Sequence, residues 1–144
     1  MMRMAAIALI SLATMTSESG QETMSKELTS LQGTWIITAF NGEDHPAGAP
    51  EVTLSFTNDK YAQSFDGNVV ERGTVKIDAS KKPMWMDLQI VEGDDANKLQ
   101  LGIAQIADGK MTFKLATPGA TTRPTDFAVA DGFLVFSMTK KPKG

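Results

Sequence analysis

The triplet Gly33-Thr34-Trp35 stands where the hydrophobic period of this chain changes, and it constrains the fold more than any other feature. Ahead of it, Met24, Leu28 and Leu31 recur at helical spacing, and Ser19 with Glu22 matches a capping box. These signals predict one short helix as a lead-in over residues 18–32. Gly33 ends that helix cheaply, because glycine accepts the positive φ common just past a helix C-terminus. Beyond it the period falls from about 3.6 to 2. An indole at the mouth of the first strand then predicts a small closed sheet whose floor the ring seals.

Turn signals divide the rest of the chain into short alternating segments. Trp35, Ile37 and Ala39 share one face of a first strand that stops at Asn41-Gly42. Val52, Leu54 and Phe56 alternate with Thr53, Ser55 and Thr57 in the second. A third runs Tyr61 to Phe65 up to Asp66-Gly67-Asn68, and Val75 with Ile77 marks a fourth. Met84, Met86, Leu88 and Ile90 define the fifth strand, and Leu99, Leu101 and Ile103 are assigned to the apolar face of the sixth. Asp108-Gly109 is a hairpin signal leading to Met111, Phe113 and Leu115. A longer loop then precedes a last strand over Phe133 to Thr139.

Eight short strands joined mostly by tight turns make a meander. With one apolar face, it closes most simply as an all-β, eight-stranded antiparallel up-and-down barrel over residues 33–141, which removes both sheet edges. A two-sheet sandwich is the alternative, but it favours longer cross-sheet connections.

Composition excludes several classes of function. The formal net charge of −3 and the lack of a dense Lys/Arg cluster argue against nucleic acid as a partner. The chain has no cysteine, which removes disulfides, thiolate metal sites and thiol nucleophiles. Residues 1–17 read as a secretory leader, with Arg3 followed by an apolar run from Ala5 to Ala13. That run is too short to span a bilayer, so no membrane insertion is expected after leader removal. The expected destination is the periplasm or the medium.

Several segments, taken in order, resemble a known family. Gly33-x-Trp35 after a short helix is similar to the opening motif of the lipocalin superfamily. Residues from about Leu31 to Lys141 resemble, more narrowly, an uncharacterised lipocalin-like domain family of planctomycete bacteria. The matching pieces are Leu31-Gln32-Gly33-Thr34-Trp35, Lys82-Pro83 with Met86-Asp87-Leu88, Leu101-Gly102-Ile103, Ala116-Thr117-Pro118-Gly119 and Arg123-Pro124-Thr125-Asp126-Phe127. The resemblance implies a calycin-type barrel and little chemistry. It also implies a basic residue laid across Trp35, a role open to Arg123 or to a lysine of the Lys140-Lys141 pair. Ala104 stands where relatives tend to carry an aromatic residue, a change expected to enlarge the interior.

The functional expectation is an exported barrel that takes a small apolar molecule into its interior. Candidate lining residues are Leu54, Phe56, Met84, Met86, Leu88, Leu101, Ile103, Met111 and Phe113, the methionines because a soft side chain suits varied apolar ligands. Gly33, Trp35 and Arg123 are candidates for the floor. At eight strands the interior is either filled by side chains or hollow enough for one ligand. The alternative is therefore a protein-interaction or structural module with a solid core and functional loops.

Catalysis is not expected. His45 is the single histidine, in the turn-like Asn41-Gly42-Glu43-Asp44-His45-Pro46, where it reads as a solvated loop residue. No Gly-x-Ser-x-Gly elbow or phosphate-binding glycine loop accompanies it. No metal or cofactor is expected either. The loop between Lys110 and Ala130 is expected to cap the barrel, with Phe127 as an inward lid.

Overall fold

The structure, a computed structural model, describes residues 25–142. The leader, Met24 and the Ser19/Glu22 capping box lie outside the described residues. The described helix, α1 (Lys26–Leu31), begins at Ser25, whose side chain accepts a hydrogen bond from the Leu28 N–H at 3.1 Å. After Gln32, Gly33 adopts φ +112°, a conformation that a residue with Cβ reaches only under strain.

Eight strands then close a barrel: β1 (Gly33–Phe40), β3 (Val52–Thr57), β4 (Lys60–Phe65), β5 (Asn68–Asp78), β6 (Met84–Glu92), β8 (Gly102–Ala107), β9 (Lys110–Ala116) and β10 (Phe133–Lys140). Each pairs antiparallel with the next, and β10 pairs back on β1 through Trp35↔Lys140 and Ile37↔Met138. The up-and-down topology expected from the turn spacing is therefore the one observed. Two short strands are additions. β2 (Glu43–Asp44) folds back on Ala39 and Phe40, and β7 (Leu99–Gln100) pairs with β6 just before the strand is interrupted at Leu101.

The floor half of the barrel is solid. Trp35 is fully buried, and its Nε1 donates to the Leu31 carbonyl at 2.7 Å, tying the end of α1 to the first strand. Leu54, Phe56, Met86, Leu88, Met111, Phe113 and Met138 join it in one buried cluster. Met84 is partly buried and packs against that cluster.

The sixth expected strand has its faces exchanged. Gly102, Ala104 and Ile106 stand opposite Leu115, Phe113 and Met111 and so face the interior, whereas Ile103 stands opposite Trp85 and Lys114 on the outer wall. Leu99 is exposed and Leu101 is half-buried at the break between β7 and β8. Leu101 and Ile103 are thus not interior residues. Alternation misleads here because both faces of the strand are covered, and the interior beside Phe113 and Leu115 has room only for small side chains. A Cβ on Gly102 would lie 2.6 Å from the Met86 carbonyl oxygen and 2.8 Å from Leu115 Cδ2. Ala104 is buried opposite Phe113 and also lies in the wall of a floor groove of about 270 Å³ between α1 and the start of β6.

The outer cover is the segment 117–132, which runs along the wall and not over the barrel end as a cap. Arg123 makes a two-pronged ion pair with Asp87, Nη2 reaching Oδ2 at 3.0 Å, and also donates to the Gly102 carbonyl at 2.9 Å. Asp87 in turn accepts from the Gly102 N–H at 3.1 Å, so this pair satisfies a backbone that the broken ladder leaves open. Lys114, buried beneath the same segment, donates to the Ala128 carbonyl at 2.6 Å and approaches Asp126 at 3.5 Å. The Ala128 N–H and then Lys114 hold the Asp126 carboxyl below its ordinary range. Phe127 is half-buried on this outer strap and is no lid.

Arg123 consequently takes no part in the floor. Its guanidinium lies 3.8 Å from the centre of the Trp85 ring, and Lys140 Nζ lies over Trp35 at 5.1 Å while donating to Ser30 at 3.0 Å. Of the three basic residues open to that role, Lys140 takes it. Gly33 lies beside it, with its Cβ direction 3.8 Å from Lys140 Cε.

Candidate functional site at the open end of the barrel

Opposite the indole floor the barrel opens. The end of β1 carries Ile37 inward and Phe40 at the rim, and the pairing to β10 slips between Ile37 and Ala39. Asn41 and Gly42, both at positive φ, then reverse the chain. The Asn41 side chain accepts from the Val135 N–H at 2.9 Å, which fixes this turn to β10. Short pairing of β2 carries Glu43, Asp44 and His45 back along β1, and the His45 N–H donates to the Thr38 carbonyl at 2.9 Å.

A cleft of about 520 Å³ lies between this flap, the outer ends of β3 and β4, and the start of β10. Its walls are mainly apolar: Ile37, Phe40, Val52, Phe65, Leu134 and Phe136. The Phe40 and Phe136 rings pack at 5.2 Å, tilted by 39°, and both Phe40 and Phe65 remain 42% exposed at the rim. A second cavity of about 180 Å³ shares Ile37, Gln63, Leu134 and Phe136 with the first and reaches down to Leu54, Leu88 and Leu115. The two adjoin, and the larger falls within the size range of small-molecule sites.

Polar groups are few and lie on particular sides. Glu71 and Asp95 edge the inner cavity, with Gln63 and Gln100 beside them. The Tyr61 hydroxyl donates to Glu71 Oε2 at 2.8 Å. Burial lifts the Glu71 carboxyl above its ordinary range, and the nearby Asp95 charge adds to the lift, against the pull of the Tyr61 hydrogen bond. Burial and the Glu71 contact also push the Tyr61 phenol well above its ordinary range. Gln100 is held inward by a bond from Nε2 to the Ala116 carbonyl at 3.2 Å.

His45 differs from the expected solvated loop residue. The residue lines the cleft, and its Nε2 is inaccessible to solvent and has no hydrogen-bond partner.

Of the residues chosen from alternation, Leu54 and Leu88 line the inner cavity. Phe56, Met86, Met111 and Phe113 belong to the solid half, Met84 faces the floor groove, and Leu101 and Ile103 lie outside the interior. Sequence reasoning missed Phe40, His45, Val52, Phe65, Leu134 and Phe136 as one group. A signal was present in the aromatic residues that end the first and third expected strands, immediately ahead of Asn41-Gly42 and Asp66-Gly67.

Among the described residues no group of three or more His, Asp or Glu side chains stands close enough to hold a metal ion. Nor is any described helix long and apolar enough to cross a membrane. No family profile, curated protein or solved structure matches the chain.

Proposed function

We propose that this protein is an exported, lipocalin-like barrel that binds a small, largely apolar molecule at its open end. One observation carries the reading: the barrel is solid around Trp35 and Phe113 but opens at the other end into an apolar cleft of about 520 Å³ rimmed by exposed phenylalanines. Exposed apolar surface in a concave setting costs solvation free energy unless something covers it, and a ligand is the simplest cover. The role is binding, not turnover. The Gly33-x-Trp35 floor and the segment order support kinship with lipocalin-like domains, and the leader-like residues 1–17 support export.

A neutral naphthylamine dye, fluorescent in apolar surroundings, tests the binding. The protein should enhance its emission saturably, and ligand should raise the melting temperature. Leu134→Trp, which fills the space shared by both cavities, should abolish the enhancement while leaving the fold intact. Unchanged dye binding in that variant refutes the site. N-terminal sequencing of protein recovered from the host's periplasm or medium tests export; a mature chain still beginning at Met1 refutes it.

The solid floor half gives the second reading its support. If no apolar compound binds at saturating concentration, the barrel serves as a rigid scaffold, and the strap 117–132 and the mouth loops become its contact surface.

A further inference from the structure

We propose that the molecule bound at the open end carries a primary ammonium head, which Glu71 and Gln100 receive in the inner cavity while its apolar body fills the outer cleft. This rests on the proposed binding role and deepens it by naming the ligand class.

A belt of polar side chains faces the interior between the solid floor and the apolar mouth. Gln63 follows the core residue Tyr61 on the same face of β4, and Glu71 stands opposite Gln63 on β5. Gln100 stands opposite Leu88, another core residue, and all three line the inner cavity. Among the described residues Glu71 has no ion-pair partner, and its one side-chain hydrogen bond comes from the Tyr61 hydroxyl at 2.8 Å. A half-buried carboxylate without a counter-charge is costly, and a cation brought by the ligand removes that cost.

Gln100 supplies an independent sign of what the cavity takes. The residue is only 5% exposed, and its Nε2 is committed to the Ala116 carbonyl at 3.2 Å. Its Oε1 meets no donor among the described residues, yet it is not sealed off, and the cavity that the residue lines is the space it opens on. A buried acceptor of this kind calls for a donor.

The other charged groups on the walls agree in sign. Glu43 and Asp44 line the larger cavity and Asp95 the smaller, and no Lys or Arg lines either. Lys98 offsets Asp95 at 3.4 Å, and Glu43 and Asp44 are exposed at the rim, so these three steer a cation inward without holding it. An ammonium offers three N–H donors and a positive charge to the inner acceptors. A hydroxyl offers one donor and no charge, and a carboxylate offers neither.

Dye displacement at neutral pH compares three alkyl probes of equal length, each below its micelle concentration: decylammonium, decanol and decanoate. Salt at about 0.15 M screens the exposed rim. The wild-type protein should bind decylammonium about tenfold more tightly than decanol, as expected for a charge-assisted hydrogen bond in place of a neutral one, and decanoate most weakly. Glu71→Gln keeps the side-chain shape and an acceptor for the Tyr61 hydroxyl but removes the charge. It should cost decylammonium about tenfold and leave decanol within about twofold, whereas a merely structural role would weaken all three probes together. Gln100→Met removes the acceptor at similar length, so decylammonium affinity should fall about fivefold while direct dye binding is unchanged.

Tighter binding of decanol or decanoate overturns the inference while leaving the binding site standing. So does an ammonium preference that survives Glu71→Gln, or a decylammonium affinity indifferent to Gln100→Met. If the dye binds and none of the three probes displaces it, the inference falls alone; if the dye does not bind either, the site falls with it.

Discussion

The clasp between Asp87 and Arg123 offers the sharpest test of how the outer strap is held. Asp87→Ala removes the two-pronged ion pair and the acceptor for the Gly102 N–H at 3.1 Å, leaving Arg123 without its counter-charge. Each side chain is 18% exposed, so water can reach the stranded partners in part. Hydrogen bonds to charged groups contribute about 1.5–3 kcal/mol each, and stripping one partner from a fully buried pair costs about 3–5 kcal/mol. Allowing for the residual solvent, a loss of about 2–3 kcal/mol is expected.

Arg123→Ala should cost about as much, with the stacking on Trp85 at 3.8 Å adding up to about 1 kcal/mol. Removing both partners leaves no orphaned charge, so the double variant should be less destabilised than the two single losses combined, by about 1–2 kcal/mol. Urea unfolding measures this, with the midpoint falling at constant slope. Protease should cut the 117–132 segment faster in either single variant, because the strap opens before the barrel does. Single losses under about 0.5 kcal/mol, or strict additivity, would show that the clasp is a surface pair with no hold on the strap.

Three further outcomes follow from the same geometry. Gly102→Ala should destabilise the barrel by about 1–3 kcal/mol in thermal unfolding, since the new methyl would lie 2.6 Å from the Met86 carbonyl oxygen and neither backbone can retreat within the sheet. Trp35→Ala should cost about 3–5 kcal/mol by chemical denaturation, whereas Lys140→Met, which removes only the cation over the ring and the bond to Ser30, should cost about 1 kcal/mol or less. Glu71 is held above its usual range near 4.5, so the folded state binds its proton more tightly than the unfolded chain, and the stability tied to it is full at low pH and lost as pH rises through the raised value. Glu71→Gln should accordingly raise the melting temperature at neutral pH, with the gain shrinking towards pH 4. An equal gain at both pH values would count against the burial of that carboxyl.

Local signals made the barrel legible. Asn41-Gly42, Asp66-Gly67 and Asp108-Gly109 each adopt the paired positive φ that tight hairpins require, so strand ends could be placed from dipeptides alone. Alternation gave the inner face of β3, β6 and β9 directly, because Thr53 and Ser55, Asp87 and Gln89, and Thr112 and Lys114 interrupt the apolar sets, and a slip by one residue would turn them inward. It failed on the segment around Gly102. Ile103 is buried as deeply as any core residue, but under the strap, and its burial depends on Arg123 and Lys114 reaching partners far along the chain.

The site was harder to read for a related reason. His45 resembles any loop histidine until the two-residue pairing of β2 folds it against β1, and β2 is too short to leave a periodic trace. The cleft draws on β1, β3, β4 and β10, so its walls become neighbours only when the barrel closes. The sequence by itself determined the number of barrel strands, most of their turns and the indole floor, since these depend on backbone preferences and spacing within a few residues. Tertiary structure decided which basic residue covers Trp35, which face of the sixth strand points inward and where the cavity lies. Those outcomes depend on how much volume remains once distant side chains have been packed, and no local pattern encodes that remainder.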